Sequence, residues 1–127
     1  MGIKAGDHLL GRIINPLGES LDEQPPLKDS PNDEKMPLEE NALGISKRRY
    51  IKEQFETGIT VIDTLFPLGK GQRELVIGES RAGKTGFLLD IVANQKGRGV
   101  ICVFAMIGKP LSEVQDIYKQ IKDKGLL

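Results

Sequence analysis

Between Phe55 and Lys124 the hydrophobic pattern changes period from strand to helix and back. Ile59, Val61, Ile62 and Leu65 predict one or two helical turns, which Pro67, Gly69 and Gly71 break. Glu74–Ile77 (Glu-Leu-Val-Ile) predicts a short buried strand. Within Lys84–Gln95, the residues Phe87, Leu88, Leu89, Ile91 and Val92 predict a helix apolar over most of its circumference, suited to burial against a sheet. Lys96-Gly97-Arg98-Gly99 should end it with glycine and cations. Val100–Ile107 is a continuous apolar run of the kind covered on both faces in a parallel sheet. Pro110–Lys124 is amphipathic: Val114, Ile117, Tyr118 and Ile121 fall at i, i+3, i+4 and i+7. Ser112 and Gln115 fit a capping box, Lys119, Lys122 and Lys124 suit the negative end, and Gly125 is the stop. Strand, helix, strand, helix in this order implies a right-handed parallel crossover, and hence an α/β class.

The first third reads differently. Leu9–Ile14 (Leu-Leu-Gly-Arg-Ile-Ile) predicts a short strand, stopped by Asn15-Pro16 and Gly18. Asp22–Asn41 holds four of the chain's seven prolines and seven acidic residues against Lys28 and Lys35. Such a stretch buries too little surface to order itself and is expected to be an exposed connection. A basic cluster follows at Lys47, Arg48, Arg49 and Lys52. Its two readings are a phosphate or nucleic-acid patch and a solvated face or partner contact; a short charge run is more often the latter, and no aromatic interleaving suggests base stacking. The boundaries implied are residues 1–21, a connection over 22–54, and an α/β unit over 55–127.

Composition narrows the chemistry. With 127 residues there is room for one domain with a real core, not two. Eighteen basic and eighteen acidic side chains cancel, so no global field draws the chain to nucleic acid or anionic lipid. Cys102, the one cysteine, sits in an apolar run and is expected to be a small core residue in a reducing compartment. His8 stands alone and is expected to be solvated or structural rather than a metal ligand. No apolar run approaches the ~20 residues of a membrane span, so direct insertion is not expected.

The candidate chemistry lies at residues 78–85, Gly-Glu-Ser-Arg-Ala-Gly-Lys-Thr, which fit G-x-x-x-x-G-K-[ST]. Gly78 and Gly83 tolerate close approach and unusual backbone angles, so successive N–H groups can converge on phosphate oxygens. Lys84 would meet the β and γ phosphates, and the Thr85 hydroxyl would ligate Mg²⁺. The nucleotide-binding set is Gly78, Glu79, Ser80, Arg81, Ala82, Gly83, Lys84, Thr85 and Gly86, with ATP or ADP and Mg²⁺ as ligands. A strand before and a helix after would turn the helix N-terminus toward the phosphates.

The stretch from Thr57 to Thr85, and above all Gly69–Leu75 (Gly-Lys-Gly-Gln-Arg-Glu-Leu) running into the loop, resembles the alpha subunits of F-type ATP synthases. Leu9–Gly18 (Leu-Leu-Gly-Arg-Ile-Ile-Asn-Pro-Leu-Gly) is similar to that family's handover from an N-terminal β-barrel. Gly44–Arg49 (Gly-Ile-Ser-Lys-Arg-Arg) is similar to its connection into the core; Asp22–Lys35 departs from it. The resemblance implies part of a P-loop, RecA-like parallel sheet. It also implies a non-catalytic Mg-nucleotide site beside catalytic beta subunits, in the peripheral head of a proton-translocating complex. That head would face the cytoplasm, or the matrix or stroma in an organelle. Catalytic relatives carry Gly-Glu after the strand that follows the loop, and alpha-type members usually a glutamine; here Gly108-Lys109-Pro110 stands there and matches neither. A complete alpha subunit is several times longer. The chain is therefore expected to be a truncated piece, a fragmentary gene product or a reduced relative.

Two other readings stay open. One is a catalytic P-loop ATPase of the secretion or helicase type; Rho-like helicases share Gly-Lys-Gly-Gln-Arg and Arg-Ala-Gly-Lys-Thr but lack the Leu9–Gly18 handover. The other is an interaction module with a vestigial nucleotide site. No catalytic residue is assigned. Lys109 offers no carboxylate to position an attacking water. It would either touch phosphate or stand exposed before a helix.

Overall fold

The computed structural model describes residues 2–28 and 30–127. Met1 and Asp29, one of the acidic residues of the proline-rich stretch, lie outside them. The chain divides into two compact units, residues 1–48 with Leu127 and residues 49–126.

In the first unit, β1 (Gly2–Ala5) pairs antiparallel with β2 (Glu34–Pro37), Ile3 opposite Met36. All four residues of β2 are exposed. The acidic, proline-rich stretch is thus ordered in part where composition predicts none, because main-chain pairing replaces the burial it cannot supply. The strand expected at Leu9–Ile14 is not formed. Asp7–Leu9 is a 3-10 turn, closed by bonds of 3.1 Å from Leu9 N to Gly6 O and from Leu10 N to Asp7 O. Gly11 then takes φ +71°, outside any strand conformation, and only Ile14 bridges, to Ser20. Asn15 makes the turn, its side-chain oxygen accepting the amides of Leu17 and Glu19 at 2.9 Å each, and Gly18 closes it at φ +85°.

Beneath this turn Arg12 grips Asp22 with two bonds, Nε to Oδ2 at 2.7 Å and Nη2 to Oδ1 at 2.8 Å. The Asp22 carboxylate also accepts from Ser20 Oγ at 2.7 Å and the Ile13 amide at 3.1 Å, and its side chain is inaccessible to water. The guanidinium holds its carboxyl well below the usual carboxylate range, more strongly than burial raises it. His8 Nδ1 lies 3.0 Å from Asp33 Oδ1, which gives this lone histidine a structural place.

In the second unit, β3 (Gln54–Phe55) pairs antiparallel with β4 (Leu68–Gly69), and α1 (Thr60–Leu65) lies between them in sequence. Then come α2 (Lys84–Asn94) and α3 (Leu111–Asp123). Among the described residues only Leu89 of α2 and Ile117 of α3 are buried apolar side chains, at 1% and 7% exposure. Lys124 Nζ meets Asp90 Oδ1 at 2.9 Å, and Lys96 Nζ donates to Gly125 O at 2.6 Å, so two polar ties join the C-terminal end of α3 to the C-terminal part of α2. Gly125 ends α3 as expected: it takes φ +62°, and Leu126 N returns to Ile121 O at 3.1 Å.

Three expectations are corrected here. The capping box at Ser112 and Gln115 is absent, because α3 begins two residues earlier than a Ser112 cap would place it, with Pro110 as its cap and no side-chain capping bond. Lys109 and Glu113 span that first turn with an ion pair of 2.8 Å. Cys102 is exposed, not buried. Glu74–Ile77 and Val100–Ile107 form no ladder among the described residues, and Val103 and Ile107 stand 88% and 91% exposed. An apolar β-branched run states a capacity to pair, and a strand exists only where a neighbour accepts its bonds.

Candidate functional site

The loop at residues 78–85 leads directly into α2. Gly83 caps the helix at φ +86°, a conformation that charges a side chain for its Cβ and a glycine nothing. No side chain caps α2. The first-turn amides of Lys84, Thr85 and Gly86 therefore have no intrahelical acceptor and point out of the N-terminus, with the positive end of the helix dipole behind them. Ala82 N turns back to Glu79 O at 3.2 Å, which folds the loop over itself. Arg81 holds φ +63°, the only non-glycine in the left-handed region among the described residues.

Lys84 is the one half-buried residue of the octet; its neighbours are exposed. Its ammonium donates to Gly78 O and Glu79 O, both at 2.6 Å. The cation therefore lies across the mouth of the loop, held by two neutral carbonyls. A phosphate oxygen arriving there would offer an anionic acceptor in their place, adding the attraction of opposite charges to bonds that the ammonium alone already strengthens. Gly78, Glu79, Ser80, Arg81, Ala82, Gly83, Lys84, Thr85 and Gly86 form one continuous turn and helix start. Lys109 is engaged with Glu113 instead of standing free.

A hydrogen-bonded latch fixes the far end of α2. Asp63 of α1 accepts from Thr57 N at 2.9 Å, Thr57 Oγ1 at 2.7 Å and Gly58 N at 2.9 Å. The Thr57 hydroxyl, then the Thr57 and Gly58 amides, hold the Asp63 carboxyl below its ordinary range, with Arg98 adding a further charge. Asn94 Nδ2 donates to Thr57 O at 3.0 Å and Gln95 Nε2 to Glu56 O at 2.9 Å, while Arg98 pairs with Glu56 at 2.7 Å. Gly58 is needed here: it takes φ +76°, and a Cβ would sit 2.5 Å from the Asn94 side chain. This latch was missed by pattern reading. Its signal was present as Thr-Gly two residues before a helix whose fourth position is Asp.

Magnesium can be tested only on donor chemistry. The described residues hold no group of three or more His, Cys, Asp or Glu that could cage a cation. Thr85 supplies a single hydroxyl at the second position of α2. That set suits a hard cation which keeps its waters and arrives on phosphates, as Mg²⁺ does.

Tyr50 corrects one further reading. It stands between Arg49 and Lys52, and those three line an open groove with Glu53 and Lys70, so the basic cluster does contain an aromatic. Against known families, residues 58–127 match the ATP synthase alpha/beta family, nucleotide-binding domain. The match begins at Gly58 of the latch and runs through the loop, α2 and α3, over more than half of the chain.

Proposed function

The chain belongs to the ATP synthase alpha/beta family, and from that membership we propose a specific role. It binds Mg-ATP or Mg-ADP at Gly78–Thr85 as a non-catalytic, alpha-type subunit in the head of a proton-translocating F-type ATP synthase, beside catalytic beta-type subunits. The observation that carries the binding reading is Lys84 Nζ held over the loop mouth by Gly78 O and Glu79 O, beside an uncapped helix N-terminus.

In this reading, the chain's own residues do the following. The amides at the start of α2 and of the loop hold the phosphate oxygens. Lys84 leaves its two carbonyls and neutralises the terminal phosphates. Thr85 would give one hydroxyl to an Mg²⁺ arriving on the nucleotide, and the ion would supply charge neutralisation there. Glu74–Ile77 and Val100–Ile107 become neighbouring strands of a parallel, RecA-like sheet when their pairing partners are supplied.

The alpha-type part of this reading rests on Gly69–Leu75 running into the loop, and its non-catalytic part on Lys109. Where catalytic relatives place a carboxylate, this chain places a cation paired with Glu113 at 2.8 Å. An exposed pair of that spacing contributes about 0.3–0.5 kcal/mol and needs no further explanation than helix surface chemistry. It positions no water. No helix among the described residues is long and apolar enough to cross a membrane, which accords with a peripheral place in the complex.

The test is a titration with a fluorescent ATP analogue, with and without Mg²⁺, run beside a phosphate-release assay. Saturable, Mg²⁺-enhanced binding without release is expected. Binding with release would favour a catalytic secretion- or helicase-type ATPase, and no binding would favour a vestigial site.

A further inference from the structure

An open groove of about 500 Å³ in the second unit is lined by Arg49, Tyr50, Lys52, Glu53 and Lys70. The Gly78–Thr85 loop contributes nothing to it. Its wall is the β3–β4 hairpin, where Lys70 N donates to Glu53 O at 2.9 Å and Lys70 Nζ pairs with Glu53 Oε2 at 2.7 Å. The Lys70 charge is therefore largely answered by Glu53, and Lys70 in turn holds the Glu53 carboxyl below its ordinary range. Arg49 and Lys52 form no ion pair among the described residues. Between them the Tyr50 side chain is 92% exposed.

A ring that exposed is unusual for a residue that usually hides its body and wets only its hydroxyl. An acidic peptide would use the two cations and leave the ring idle. A nucleotide unit uses all three: its base stacks on the phenol and its phosphate meets the guanidinium and ammonium. We propose that Arg49, Tyr50 and Lys52 form a second site, distinct from the phosphate loop, that takes a nucleotide unit of single-stranded nucleic acid. The neutral net charge of the chain makes the contact local and short. Two unanswered cations release about two counterions, so log K should fall with log salt at a slope near −1.4 for a single strand.

The experiment uses the full chain in the Lys84→Ala background, which weakens phosphate-loop affinity, with a 5′-fluorescein dodecauridylate followed by anisotropy from 50 to 200 mM salt. Expected are a slope near −1.4, about a tenfold loss on Tyr50→Ala with retention in Tyr50→Phe, and a slope reduced by about 0.7 in Arg49→Ala or Lys52→Ala. All three side chains are on the surface, and an unchanged circular dichroism melt confirms that each variant folds. Displacement by millimolar AMP assigns the same chemistry to a free mononucleotide, whereas resistance to AMP assigns it to the strand. Salt-independent binding, equal affinity in Tyr50→Ala, or equal competition by polyglutamate overturns the proposal, the last in favour of an acidic peptide. Failure here leaves the phosphate-loop reading intact, because that loop is weakened equally in every arm and none of them reports on it.

Discussion

Replacing Lys84 by alanine is the sharpest perturbation of the phosphate loop. In the free protein its ammonium makes two bonds of 2.6 Å, to Gly78 O and Glu79 O. Binding exchanges these neutral acceptors for phosphate oxygens, so the affinity it contributes is the difference between the two sets. The carbonyl bonds are already charge-assisted by the ammonium, so the gain is the attraction of opposite charges, about 1–4 kcal/mol at about 4 Å for a dielectric between that of water and about 20. The expected loss on Lys84→Ala lies in the middle of that range, about 1.5–3 kcal/mol, or about 10- to 150-fold in Kd for Mg-ATP. Lys96→Ala is the control: its Nζ donates to Gly125 O at 2.6 Å beyond the far end of α2. It should cost stability of about 1 kcal/mol and leave affinity within twofold. Titration of both variants with a fluorescent ATP analogue decides the matter. Equal losses would mean that the octet is not where the phosphates sit.

The remaining predictions are as follows. Leu89→Ala should destabilise the second unit by about 2 kcal/mol, the low end for a buried leucine because few apolar neighbours surround it, read from a urea midpoint. Arg12→Met should cost the first unit about 2 kcal/mol by leaving the covered Asp22 carboxylate without its cation, and amide exchange at Ile13 and Gln24 should rise. Because the folded state lowers the Asp22 pKa, its contribution is fully present above its unfolded value near ~4 and is lost as pH falls below that. Acidification to pH 2 should therefore loosen the Ile13–Asp22 turn in the parent and little more in Arg12→Met; equal pH sensitivity in both would refute the pairing. Light scattering at tens of micromolar should show self-association through the unpaired apolar segments, and a stable monomer would refute that.

What could be read from sequence divides along the range of the forces involved. Helix α2 ends at Asn94 where glycines follow, and α3 closes at Gly125; both depend on periodicity and local capping chemistry that lie within a few residues. The loop was legible because its spacing is itself the geometry. The strands were not, since Glu74–Ile77 and Val100–Ile107 have the composition of buried strands, yet pairing is a property of two segments and none among the described residues accepts their bonds. Cys102 followed its segment into solvent for the same reason. In the other direction, β2 formed inside a stretch too polar to order by burial, because Gly2–Ala5 offered it a ladder. The Arg12–Asp22 clasp joins residues ten apart across a turn, which no periodicity rule addresses.

Turnover depends on differential binding of ground state and transition state. Backbone donors, Lys84 and the Thr85 hydroxyl hold ground state and transition state about equally, and such contacts favour affinity over rate. Acceleration needs groups that act only as charge moves: a carboxylate to orient water, an acid on the metal, and an arginine at the γ phosphoryl, the last alone worth on the order of 10³–10⁵ where it operates. In the reading proposed above, Lys109 stands at the first of these positions, and it is paired with Glu113. No residue is assigned to the other two roles. Lys109→Glu would restore a carboxylate, but it would also place it beside Glu113, where two like charges four residues apart repel across the first turn of α3. The variant should bind Mg-ATP as the parent does and release no more phosphate than Lys84→Ala. Phosphate release near one per second from Lys109→Glu, abolished by Lys84→Ala, would show that a single carboxylate suffices and that the site is catalytic in all but that residue.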